Sequence, residues 1–153
     1  MNKDFATYLE KLGVSSDKPL FAKADRLLEL AKIVGPEEAE DIFVSEFTKE
    51  DGSREFTSLW MFTPRYVMEA RDFPGNNDKI DTTYIKKAIS YVEVESKDYN
   101  LKEAGDSSRV SISVLFTHSA QGGALTGRLR ASKKNCDDLV ARYVKYFKPN
   151  IVG

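Results

Sequence analysis

Phe56-Thr-Ser-Leu-Trp-Met-Phe-Thr-Pro-Arg-Tyr-Val-Met-Glu-Ala-Arg71 reads as two strands folded back on each other through Thr63-Pro64-Arg65. Before the turn, Phe56, Ser58, Trp60 and Phe62 share one face, with Leu59 and Met61 on the other. After it, Tyr66, Met68 and Ala70 alternate with Val67, Glu69 and Arg71. Aromatic and β-branched residues suit a pleated surface, and a short polar break containing Pro suits a hairpin. The single Trp lies here, so the hairpin is expected at the centre of a curved antiparallel sheet. Trp60, Phe62, Tyr66 and Met68 are expected in the core, and Thr57, Thr63, Glu69 and Arg71 at the surface.

On the N-terminal side, Ile42 to Phe47 reads as a preceding strand. Asp51-Gly52 in the connection is the strongest hairpin dipeptide in the chain. Further back the period changes from two to 3.6. Phe5, Tyr8, Leu9 and Leu12 lie at helical spacing, with Gly13 as a stop. A second helix is predicted from Pro19 to Gly35-Pro36. Its apolar stripe is Leu20, Ala24, Leu27, Leu28, Ala31 and Val34, with Lys23, Asp25, Arg26 and Lys32 toward water. Residues 1–36 therefore form a helical arm, and 37–153 the domain proper.

On the C-terminal side, Phe73 to Asp78 is a loop by composition. Ile80 to Ile85 and Ser90 to Glu95 are short strands, the second with Val92 and Val94 inward. Asn100 to Ser108 is a polar loop. Val110, Ile112, Val114 and Phe116 alternate with Ser111, Ser113, Leu115 and Thr117, which predicts a half-buried strand. After a turn at His118 to Gly123, Leu125, Gly127 and Leu129 face one way and Thr126, Arg128 and Arg130 the other. The last helix runs from an N-cap at Ser132, with Asp137 and Asp138 near its positive end. Its stripe is Cys136, Leu139, Val140, Tyr143, Val144 and Phe147, and Pro149 closes it.

With 153 residues, 41% hydrophobic and 11% aromatic, the chain is long enough for one substantial core. No apolar run reaches the ~18–20 residues needed to span a bilayer, and the N-terminus lacks the pattern of a signal peptide. One Cys and one His argue against a disulfide framework or a His/Cys metal site, and are compatible with a reducing cytoplasm. The net charge of -1 conceals an asymmetry. From Ala124 onward seven Lys/Arg face two Asp, a balance of +5, while the remainder carries 16 basic and 22 acidic residues.

The order helical arm, about seven antiparallel strands, C-terminal amphipathic helix defines an α+β fold. Trp60-Met-Phe-Thr-Pro-Arg-Tyr-Val-Met68 resembles the hydrophobic-Thr-x-x-Arg-hydrophobic hairpin of bacterial pleckstrin-homology-like (PH-like) and GRAM-type domains. Ile85-Lys-Lys-Ala-Ile-Ser-Tyr-Val-Glu-Val94 resembles the Ile-x-x-Val-Glu-Val segment that follows it, and Ser132 to Phe147 stands where their closing helix belongs. The resemblance covers roughly residues 40–150. It implies a bent antiparallel sheet or barrel of about seven strands capped by the helix. An α+β fold with a helix-covered open sheet satisfies the same periodicity.

The lipid-binding members of that family gather cations at the end of strand one and the start of strand two. Lys49 and Arg54 match those positions, but Glu50, Asp51 and Glu55 interleave with them and Phe56 replaces a further cation. A solvated hairpin tip is the preferred reading. A second anion-binding candidate is Arg128, Arg130, Lys133 and Lys134, straddling the last strand and the helix start. No aromatics interleave with residues 124–134, so no nucleic-acid role is expected.

No catalytic constellation emerges. His118-Ser119 has no third group to orient the imidazole, Cys136 falls on an apolar stripe, and Glu93 and Glu95 fit an outward strand face. No cofactor is implied. The chain is therefore expected to be a cytoplasmic, non-catalytic binding or assembly module. Its partner is expected to be a protein or, through the arm, a second copy. The alternative is peripheral contact with anionic lipid or another anion through the basic C-terminal region.

Overall fold

The computed structural model describes residues 1–99, 108–118 and 123–151. The elements are α1 (Lys3–Lys11), α2 (Pro19–Val34), β1 (Asp41–Thr48), β2 (Arg54–Phe62), β3 (Tyr66–Ala70), β4 (Thr82–Ile85), β5 (Ile89–Lys97), β6 (Arg109–His118), β7 (Gly123–Ser132) and α3 (Asn135–Arg142). A 3₁₀ turn, Lys86–Ala88, precedes β5. The strands form a four-stranded sheet in the order β1-β2-β3-β4 and a three-stranded sheet in the order β5-β6-β7. The fold is thus α+β with seven strands and a C-terminal helix. Among the described residues no ladder joins β4 to β5 or β7 to β1, so the sheets are open and the expected barrel is not closed. The chain divides into two compact units, one of Met1–Val44 and Phe56–Thr83, the other of Ser45–Glu55 and Tyr84–Gly153.

In the first unit, α1 starts where the Asn2 side chain accepts the Asp4 N–H at 2.8 Å. It ends at Gly13, which has φ +85°. There the Gly13 and Val14 N–H groups return to the Glu10 and Leu9 carbonyls, the paired closure that a left-handed residue permits. Pro19 opens α2 and Gly35 ends it, its N–H reaching the Ala31 carbonyl at 2.8 Å. The arm packs on strands of its own chain. The Tyr8 hydroxyl accepts the Val44 N–H at 3.0 Å, and the Tyr8 and Phe43 rings lie 6.4 Å apart.

The hairpin forms, pairing Leu59 with Ala70, Trp60 with Glu69, Met61 with Met68 and Phe62 with Val67, one residue out of the expected phase, so Trp60 and Phe62 share a face with Val67 and Glu69 and not with Tyr66 and Met68. Leu59 to Phe62, Val67, Met68 and Ala70 are all buried, and each of the Leu, Met, Phe and Val side chains among them contributes about 1.5–3 kcal/mol. Thr63 and Glu69 are buried as well, against the expectation that they lie at the surface, while Tyr66 is only half-buried. Thr63 and Glu69 are each satisfied by a side-chain partner. Glu37 clamps the turn, accepting from the Thr63 hydroxyl at 3.1 Å and the Arg65 N–H at 2.9 Å. Glu69 accepts the Ser58 hydroxyl at 3.0 Å and pairs with Arg71. Buried polar groups that find partners in this way cost little.

Two expectations for α2 are corrected. Val34, expected in the stripe, is exposed, and Lys23, expected toward water, is buried. Lys23 lies in phase with Ala24 and Leu27, so its alkyl stem joins the apolar face. Its ammonium is satisfied by the Gly75 carbonyl at 2.6 Å, the Asn77 carbonyl and Asp78.

In the second unit, β6 is the central strand of its sheet. Val110, Ile112, Val114 and Phe116 are buried, as their alternation predicts, and Tyr84 stacks on Phe116 at 4.1 Å. β7 presents Gly127 and Leu129 inward and Thr126 and Arg128 outward. The polar loop expected at Asn100 to Ser108 lies outside the described residues except for Ser108. Ser132 is not the cap of the last helix but the end of β7. The chain turns at Lys133, with φ +55°, and α3 begins at Asn135. α3 packs on β6 and β7. Beyond Arg142 it widens into a π-turn, Tyr143–Phe147, in which the Lys148 N–H reaches the Tyr143 carbonyl. The extra residue rotates the buried face. Tyr146 is therefore buried beside Phe147 while Val144, expected in the stripe, is exposed.

Candidate functional site

Register decides which side chains of the three-stranded sheet meet. On the face opposite the core, Glu93, Ser113 and Arg128 form one cross-strand row. Glu95, Ser111 and Arg130 form the next, and Lys97, Arg109 and Ser132 the last. Tyr91, Leu115 and Thr126 extend the face at its other end. Arg128 donates Nε–H to the Ser111 hydroxyl at 2.9 Å, and Arg130 lies 5.8 Å from the centre of the Phe47 ring. Of the expected anion-binding set, Arg128 and Arg130 share this face. Lys133 and Lys134 belong to the turn beyond it.

The sheet has two edge strands, and they differ. At the C-terminal end of β7, side chains of β1 satisfy two of the outward-pointing backbone donors. The Ser45 hydroxyl accepts the Arg130 N–H at 2.9 Å, and Glu46 accepts the Ser132 N–H at 2.6 Å and the Ser132 hydroxyl at 2.5 Å. The other carboxylate oxygen of Glu46 takes Arg54 Nε at 2.9 Å and Nη2 at 2.7 Å. The Glu46 side chain has no exposure, so this is a buried carboxylate with four donors. It also uses Arg54, one of the two cations weighed from the sequence as a possible anion site. The other, Lys49, lies 3.6 Å from Glu55.

Along β5 no comparable bond is made among the described residues. Ser90, Tyr91 and residues 93–97 are exposed, Tyr91 by 56% and Val94 by 49%. Val92 and Val94 were expected inward, yet Val92 is only half-buried. β5 is the first strand of the order β5-β6-β7, and among the described residues no strand pairs beyond it. Alternate residues of such a strand point their N–H and C=O groups away from the sheet.

The other sequence candidates are placed as follows. Cys136 is buried, with Sγ 3.4 Å from the Ser108 carbonyl. Burial pushes its thiol up to about 11, and the negative charges of Glu46 and Asp137 add to the effect. Tyr99 donates its hydroxyl to Asp137 at 2.8 Å. Burial and that acceptor push the phenol up to about 12. His118 ends β6, and Ser119 lies outside the described residues. Among the described residues no group of three or more His, Cys, Asp or Glu is placed to hold a metal ion. No described helix is long and apolar enough to cross a membrane.

Sequence reasoning missed Ser45, Glu46, Lys97 and Arg109. Glu46 did leave a signal, being in phase with Ile42 and Val44 in a strand whose core face those residues define. Lys97 and Arg109 left none, since only the register brings them together.

No family model, no curated protein and no solved structure matches the chain.

Proposed function

We propose that the chain is a non-catalytic binding module of PH-like architecture that takes an extended segment of a partner protein as an added strand along β5. The observation that carries this reading is the contrast between the edges of the three-stranded sheet, β7 capped at Arg130 and Ser132 by Ser45 and Glu46, and β5 without such partners among the described residues and exposed at Ser90, Tyr91 and residues 93–97. The order of arm, seven antiparallel strands and final helix supports the family reading. Backbone pairing supplies affinity in such complexes and alternate side chains supply selectivity.

The face-specific chemistry of β5 describes the partner. Glu93 and Glu95 stand on one face, Val92 and Val94 on the other. A strand alternating basic with apolar residues meets both. A second copy of β5 paired antiparallel about Val94 is disfavoured, because that register sets Glu93 against Glu95, and like charges opposed across a ladder destabilise it. The arm is a weaker route to self-association, since Phe5, Tyr8, Leu9, Leu27 and Ala31 are already buried. Anionic lipid on the outer face has less support, because Glu93 and Glu95 share that face with Arg128 and Arg130.

The test uses short labelled peptides in fluorescence anisotropy. A peptide alternating lysine with valine should bind the native protein, and one alternating glutamate with valine should not. Charge reversal at Glu93→Lys with Glu95→Lys should exchange the two preferences. N-methylation of alternate peptide nitrogens should abolish binding in one of the two phases only. Binding of both peptides unaltered by the reversal, or binding of neither, refutes the proposal. Self-association appears in the same samples as a concentration-dependent mass by sedimentation.

A further inference from the structure

At the end of the three-stranded sheet, a cleft of about 260 Å³ opens beside the last residues of β1. Lys97, Arg109 and Arg130 line it, supplied by three different strands. Lys97 stands directly opposite Arg109, and Arg130 is diagonal to Arg109 on the same face, one row along β7. Two cations opposed across an antiparallel pair repel each other, and folding gains nothing from that arrangement. None of the three makes an ion pair with a described residue. Arg130 is held against Phe47 at 5.8 Å, which fixes its guanidinium at the cleft. Burial and the neighbouring Arg128 both disfavour its charge.

The carboxylates at the cleft are Glu46 and Glu95. Glu46 is neutralised by Arg54, so three cations and Glu95 leave a local balance of about +2. The Ser111 hydroxyl lines the same cleft, and Phe47, Val110 and Ala131 form apolar walls. A planar guanidinium presents paired donors that match tetrahedral oxyanions. We propose that this cleft binds a phosphate-type dianion, a phosphate monoester or pyrophosphate group, through Lys97, Arg109 and Arg130. The site shares only Arg130 with the set expected from sequence, because Lys133 and Lys134 do not line the cleft. It does not rest on the partner-strand reading.

Pyrophosphate titrated into the full chain at constant ionic strength, followed by calorimetry, tests the site. Lys97→Gln and Arg109→Gln should each weaken binding by about tenfold, the loss of one charge-assisted contact. Glu95→Gln should tighten it, and Lys133→Gln with Lys134→Gln should leave it within about twofold. Glu95, Lys97, Arg109 and Lys134 are exposed and Lys133 is half-buried, so the variants are expected to fold. Cosedimentation with phosphatidylcholine vesicles, with and without phosphatidylinositol phosphate, separates the sources. Capture only by the phosphorylated vesicles assigns the phosphate to a lipid headgroup, and pyrophosphate binding alone assigns it to a soluble compound; either supports the site. The proposal is overturned by three outcomes: no binding of either probe, binding unchanged in the Lys97→Gln/Arg109→Gln double variant, or an equal loss on removing Lys133 and Lys134.

Discussion

Glu46→Ala should be among the most damaging single substitutions in this protein. The carboxylate is fully buried and accepts four hydrogen bonds, two from Arg54 and two from Ser132. Removing it leaves a guanidinium whose side chain is 25% exposed without this counter-charge, and leaves the N–H and hydroxyl of Ser132 without their acceptor. Breaking a buried pair from one side costs about 3–5 kcal/mol. Total stability for a domain of this size is about 5–15 kcal/mol. At about 2–4 °C per kcal/mol for a chain of this length, the melting temperature should fall by about 6–20 °C. Glu46→Gln keeps the shape and one oxygen acceptor but replaces the other oxygen with a donor, so its cost should be smaller, about 2–3 kcal/mol. Ser132→Ala keeps the backbone contact and should cost about 1 kcal/mol. Urea unfolding followed by circular dichroism gives the three free energies. Hydrogen exchange at the Arg130 and Ser132 amides reports whether the loss is local to the β7 edge. A Glu46→Ala variant within about 1 kcal/mol of the native protein would show that the cluster is held by its surroundings and contributes little itself.

Three further predictions concern other parts of the chain. Lys23→Met keeps the buried stem but leaves the Gly75 and Asn77 carbonyls without their donor; because that loop can hydrate, the cost should be about 1–2 kcal/mol, with faster amide exchange over residues 74–78. Gly13→Ala has space for its methyl group but must hold φ +85°, so it should lose about 1–2 kcal/mol, measured by urea unfolding, and Gly13→Asn should lose less. Stability should also fall at both ends of the pH range. Burial opposes ionisation of Glu37, but the bonds from Arg65 and Thr63 outweigh it and hold its carboxyl low, as the Arg26 guanidinium does for Asp78. These contributions are present above the unfolded carboxylate range and are lost as pH falls through the folded values. Cys136 has the opposite sign. Its raised value favours the folded state below the ordinary thiol range of about 9, and that contribution disappears as pH climbs from about 9 to about 11. Thiol labelling at pH 8 should accordingly be slow in the folded protein and rapid in urea; fast labelling in the folded state would contradict the burial.

The elements were legible because each depends on neighbours in sequence. Pro19 and Gly35 bound α2 at its predicted ends, Gly13 stops α1, and alternation located the hairpin and β6. Burial was less legible. Thr63, Glu69 and Lys23 are polar residues that sequence alone assigns to water, and each is buried because a partner distant in sequence satisfies it. Val94 and Tyr91 are exposed for the converse reason: a strand's pattern does not say whether it lies at an edge. The last helix was displaced at its start because β7 runs on to Ser132, and its face turned because a π-turn adds a residue.

The sequence by itself determined the number, order and type of elements, since φ and ψ preferences, caps and periodicity act over a few residues. It also placed Arg128 and Arg130 on the outward face of a strand. Only the tertiary structure decided that no ladder joins the two sheets among the described residues, that Ser45 and Glu46 cap Arg130 and Ser132 on the β7 edge while no described residue caps β5, and that Arg130 meets Lys97 and Arg109 and not Lys133 and Lys134. Strand register and edge position depend on contacts between residues far apart in the chain. A shift of one residue would carry each of those side chains to the other face of the sheet.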